Sequence, residues 1–146
     1  MVKKPATEQA VGSEPELVGV EPQGRIRIAL AGHFACLIFR PPLSPAEVDS
    51  FNSVQNGHIS EPIWQGRIKL KGEPSDAVVW HKKNFGWNSK DRLEALQSFA
   101  HEEVAPRLPN RKLRDKPFEL GDKAINFFKK REKEHAGSLP KWDTSF

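Results

Sequence analysis

The sequence predicts an α+β domain: an antiparallel sheet of three to four strands with helices packed on one face, plus a C-terminal helix. Two observations carry most of that expectation. Residues 25–40 and 64–71 alternate apolar and polar side chains with the period of a strand, whereas residues 45–54 and 88–104 space their apolar residues three and four apart, as a helix does. Breaks rich in glycine and proline separate these segments, giving the order strands, helix, strands, helix, connector, helix.

Residues 1–23 hold Pro, Gly, Glu, Ser and Thr in quantity and no aromatic residue. Such a stretch buries too little apolar surface to offset its ordering entropy and is expected to form a disordered or peripheral arm ahead of a single domain over 24–136, with 137–146 as a tail. From Arg25 to Arg40 the even positions are largely Ile26, Ile28, Leu30, Phe34, Cys36 and Ile38. One long strand bent at Gly32 satisfies this parity, and so does a hairpin turning at Gly32-His33 that sets Ile28 opposite Leu37 and Ile26 opposite Phe39. Length favours the hairpin, since strands seldom exceed about ten residues.

Arg40-Pro41-Pro42 closes that unit. Ser44-Pro45-Ala46-Glu47 then opens a helix, with Ser44 as N-cap, Pro45 at the first helical position and Glu47 completing a capping box. Leu43 and Val48 are spaced for a hydrophobic staple, and Val48, Phe51 and Val54 form the apolar stripe.

Residues 64–71 send Trp64, Gly66, Ile68 and Leu70 to one side and Gln65, Arg67, Lys69 and Lys71 to the other. Turn chemistry over Gly72–Asp76 and the apolar run Ala77–Trp80 make a second hairpin. Asn88 or Ser89 is placed to cap the next helix, whose face is Leu93, Leu96, Phe99, Ala100 and Val104 and which Pro106 stops. Residues 106–117 contain three prolines and five cations, which points to an irregular connector. Asp122 is the expected cap of a last helix running to about His135. Its apolar residues Ile125, Phe127 and Phe128 all lie in its first half, so its second half is expected in solvent. Trp142 and Phe146 leave the polar tail two aromatic anchors, for the domain itself or for a partner.

The totals bound the function. The chain has 146 residues and a net charge of +4. That charge is a gradient: residues 1–24 carry −2, residues 25–80 carry +1 and residues 81–146 carry +5. A basic second half makes an anionic partner worth testing. A single cysteine rules out an intramolecular disulfide, and Cys36, inside an apolar run, reads as a buried inert thiol. No secretory leader pattern follows Met1 and no apolar run reaches membrane-spanning length, so a soluble cytoplasmic protein without membrane contact is expected.

No phosphate-binding glycine loop, nucleophile elbow or paired-cysteine motif occurs, and His101-Glu102-Glu103 lacks the second histidine of a zinc-protease helix because position 105 is Ala. No metal, cofactor or catalytic set is therefore assigned; the weak acid–base pairing on offer is His81 with Glu102 or Asp76. The positive signal is aromatic and cationic. Lys82, Lys83, Phe85 and Trp87 interleave in one loop, Lys90 stands where a helix begins, and Arg67, Lys69 and Lys71 share the polar side of the preceding strand. Rings that stack on bases beside cations that follow phosphates suit single-stranded nucleic acid. The leading expectation is thus a small basic non-enzymatic binding protein engaging single-stranded nucleic acid through those eight residues. The alternative is an adaptor or accessory subunit that docks a protein partner through its arm, last helix or tail. A small enzyme ranks third.

Overall fold

The computed structural model describes residues 24–54, 61–81, 83, 92–137 and 141–143. The chain folds as an α+β unit around a six-stranded mixed sheet in the order β5-β1-β2-β4-β3-β6. Strands β1 (Gly24–Ala31) and β2 (Phe34–Arg40) form the hairpin, with Ile28 opposite Leu37 and Ile26 opposite Phe39. Gly32 turns it with a φ of 59°. Helix α1 (Pro45–Asn52) begins in the expected capping box: Glu47 N–H donates to Ser44 Oγ and Ser44 N–H to Glu47 Oε1. Strands β3 (Trp64–Leu70) and β4 (Glu73–His81) pair antiparallel, and β4 also pairs with β2.

This second hairpin is tighter than its sequence suggests. Its turn is Lys71-Gly72, both residues at positive φ, and Glu73–Asp76 already belongs to β4. A two-residue turn of that hand matches the strand twist, so pairing extends through Pro74, which stands opposite Lys69. Helix α2 (Arg92–Phe99) runs into a wider π turn at Ala100–Val104 and a 3₁₀ turn containing Pro106.

Four expectations change. Residues 111–119 are a strand, β5 (Arg111–Glu119), parallel to β1, and not a connector. The proline is accommodated because β5 lies at the sheet edge and its register shifts across Asp115–Pro117. Helix α3 (Asp122–Glu134) is capped by the backbone of Gly121, with no side chain in the role proposed for Asp122. The sheet has six strands of mixed direction in place of three or four antiparallel ones, because β5 and the two-residue β6 (Trp142–Asp143) add in parallel at its two edges.

The helices cover both faces, which corrects the expectation of one. On the first face, Ile26, Ile28, Leu37, Phe39, Val78 and Trp80 pack with Phe51 of α1 and with Leu96, Phe99, Ala100 and Val104. On the second, Phe34, Cys36, Ile38, Trp64, Ile68 and Val79 pack beneath Phe128 of α3. Strands β2 and β4 bury both sides, so neither face of the central sheet can be left to water. Phe127 and Phe128 therefore need a sheet surface of their own. No helix among the described residues is long and apolar enough to cross a membrane.

Candidate functional site

The sheet distributes its arginines unequally. On the first face each is met by an acid or a carbonyl. Arg67 Nε donates to Asp76 Oδ1 at 2.9 Å, directly across the β3–β4 ladder, while Asp76 Oδ2 accepts the Leu43 amide at 2.8 Å. Arg111 is buried and donates through Nε to Glu47 Oε2 and through Nη2 to Glu47 Oε1, both at 2.8 Å. It also bonds the carbonyls of Pro41 and Pro42, which ties β5 to the start of α1. The guanidinium hydrogen bonds hold the Glu47 carboxyl below its ordinary range.

On the second face the cations stand together with few acids, and Arg25, Arg27 and Arg114 make no ion pair among the described residues. Cross-strand register places Lys112, Arg25 and Arg40 in one row across β5, β1 and β2, and Arg114 and Arg27 in the next. Arg40 is partly engaged: it bonds Ser75 Oγ at 3.0 Å and the Leu70 carbonyl at 3.2 Å, and lies 3.5 Å from Glu73. Arg27 lies 4.2 Å from the centre of the Phe118 ring, and its Nε is buried without a hydrogen-bond partner. Like charges directly opposite one another destabilise a sheet by a few tenths of a kcal/mol to about 1 kcal/mol each.

All of these cations but Lys112 line a groove of about 760 Å³ between the sheet and α3. Among the described residues its walls carry Arg25, Arg27, Arg40, Lys69, Lys71, Arg114 and Lys123 against one carboxylate, Glu119. The first turn of α3 opens onto the same groove at Gly121 and Lys123, and its amides add positive potential. A strip of Ile38, Ile68, Leu70, Phe118 and Phe127 forms the apolar floor. Cations above apolar and aromatic surface suit an anion that also has a flat or greasy part.

The eight residues singled out from sequence separate. Arg67 is committed to Asp76 on the first face. Lys69 and Lys71 are exposed and border the groove. Lys83 is exposed just beyond β4, its amide donating to His81 Nδ1 at 3.1 Å. That is the far end of the hairpin from Lys71, with the length of β4 between them, on the order of 26 Å at about 3.3 Å per residue. Lys82, Phe85, Trp87 and Lys90 lie outside the described residues. Sequence reasoning missed Arg25, Arg27 and Arg114. Alternation already marked the odd side of β1 as polar, but only the parallel pairing of β5 with β1 brings Arg114 beside Arg27.

Cys36 is fully buried, and burial pushes its thiol pKa far up, leaving no thiolate for chemistry. His81 and His33 stack with ring centres 6.1 Å apart, and His101 Nε2 meets Asp115 Oδ2 at 2.9 Å. The pairing of His81 with Asp76 is not made, since Asp76 is held by Arg67 and Leu43. No group of three His, Cys, Asp or Glu residues among the described residues is placed to hold a metal. Compared with protein-family models, curated proteins and solved structures, the chain matches none.

Proposed function

We propose that the chain is a non-enzymatic binding protein that takes single-stranded nucleic acid along the groove between the sheet and α3. The observation that carries this reading is the pair of cation rows: Arg25 faces Arg40, Arg27 faces Arg114, and Glu119 is the lone carboxylate among the described residues of the groove wall. Such rows are a cost to the folded chain that a polyphosphate cancels. The guanidinium of Arg27 beside the Phe118 ring is the kind of surface on which an unpaired base stacks, while Arg25, Arg114 and Lys123 reach phosphates. Lys71, in the β3–β4 turn, extends the track, whereas Lys69 borders the groove from the Arg67 side of β3. Lys83 enters as a second contact beyond the other end of β4, reached by an oligomer and not by a mononucleotide; Lys82, Phe85, Trp87 and Lys90 follow from the sequence alone.

A second reading has its own support. The groove volume is that of a small-molecule site, so a phosphorylated small molecule of nucleotide size fits it. One titration separates the two. Anisotropy of a labelled oligouridylate should report affinity that rises with length. It should fall on the order of 50-fold between about 50 and 200 mM salt if roughly four phosphates are neutralised. Arg25→Glu with Arg27→Glu should abolish it. Equal affinity for a mononucleotide and an oligomer would favour the small ligand, and no binding at low salt would sink both.

A further inference from the structure

The β3 edge carries a different kind of site. Beyond α3 the chain returns to lay Trp142 and Asp143 against it in parallel, Trp142 beside Gln65 and Asp143 beside Gly66. Successive side chains of a strand point to opposite sides, so the two residues enter two slots. Trp142 stacks on Phe51 of α1, with ring centres 6.2 Å apart and planes within 11°. Asp143 goes to the other side, where its Oδ2 accepts from the buried Trp64 Nε1 at 3.4 Å and lies 3.7 Å from Arg131 Nη2. Gly66 makes the approach possible: a Cβ there would collide with the Asp143 backbone.

The site is larger than its occupant. Next to the aromatic slot an open cleft of about 180 Å³ is lined by Phe51, Val54, Glu61, Gln65 and Trp80. In the carboxylate slot, Arg131 Nε is buried without a partner, a donor that Asp143 leaves unused. Among the described residues, the edge of β3 from Arg67 to Leu70 pairs only with β4, on its inner side. The resident ladder is two residues long, and backbone hydrogen bonds contribute only about 1 kcal/mol each net of water. So short a strand is held by the Trp142 and Asp143 side-chain contacts together with its covalent attachment to the rest of the chain, which raises its local concentration.

We propose that the β3 edge is a recognition site for an extended segment of a partner protein bearing an aromatic residue followed by a carboxylate, and that residues 141–143 are its self-inhibiting resident ligand. The side chains that fit are known because the tail displays them. A partner with the same two residues and a longer strand gains the remaining edge of β3, the cleft and the spare Arg131 donor, and so displaces the tail. The two slots share no lining residue with the cationic groove, whereas the edge of β3 at Ile68–Leu70 borders it.

The test uses the full chain and a labelled peptide Lys-Trp-Asp-Thr-Ser-Phe, its own last six residues. The variant Trp142→Ala/Asp143→Ala vacates both slots and should bind the peptide at least tenfold more tightly than the unaltered chain. Replacing the peptide's Trp by Ala or its Asp by Asn should cost at least tenfold, and adding Gly66→Val to the vacated variant should abolish binding. Oligonucleotide affinity should stay unchanged throughout, whatever its value. Equal or absent peptide binding by the vacated chain would overturn the proposal. So would loss of its cooperative unfolding, which would make the tail a structural strand. Concentration-dependent dimerisation of the unaltered chain with exchanged tails would overturn it in favour of a second copy as the occupant.

Discussion

The two faces of the sheet use one residue type for opposite ends. On the face covered by α1 and α2, Arg67 and Arg111 are each anchored to a carboxylate, and Arg111 also satisfies two proline carbonyls. On the α3 face, Arg25, Arg27 and Arg114 line an open groove and make no ion pair among the described residues. Arginine is equally charged in both places. What differs is whether the fold puts an acid opposite, and that decides whether a cation holds the chain together or waits for something else.

That contrast makes graded demands on stability. The largest loss should come from the apolar centre of the first face. Trp80 is 1% exposed and meets Phe99 edge-on at 5.9 Å, so Trp80→Ala should cost about 3–5 kcal/mol by urea unfolding. Arg111→Met should follow, at about 3 kcal/mol, because it leaves two carbonyls without their donor and Glu47 with only the Ser44 amide.

The acid limb should report the same pair. Glu47 titrates below the ordinary glutamate value of 4.5 when folded, so its stabilisation is complete above that value and is lost as pH falls through the folded one. Urea midpoints measured between about pH 6 and pH 3 should drop over that window, and Glu47→Gln should remove part of the drop. The smallest change belongs to the other face. Arg27→Met should shift stability by no more than about 0.5 kcal/mol, toward greater stability, because it relieves the Arg27–Arg114 repulsion. A loss as large as that for Arg111 would show that the groove cations are structural and would erase the contrast.

The parts of the fold legible in the sequence were those governed by neighbours in the chain. The capping box at Ser44–Glu47 needs only a hydroxyl and a carboxylate three residues apart, and it forms as expected. The hairpin register follows from parity about Gly32, because a one-residue slip would turn Ile26 and Ile28 to the wrong side. The burial of Leu96, Phe99, Ala100 and Val104 follows from helical spacing.

The groove was not legible, for a physical reason. Arg114 and Phe118 sit in a segment whose prolines and charges discourage a strand, and only parallel pairing with a strand more than eighty residues earlier makes them one. Parity likewise showed that Arg67, Lys69 and Lys71 share a side of β3 but not that Asp76 would claim the first of them. Local sequence determined the period, caps and turns of each element, because those depend on interactions a few residues apart. Which strand edges meet, which face each helix covers and which cations are left without an acid were decided only in the tertiary structure, because charge pairing depends on distance through space and not along the chain.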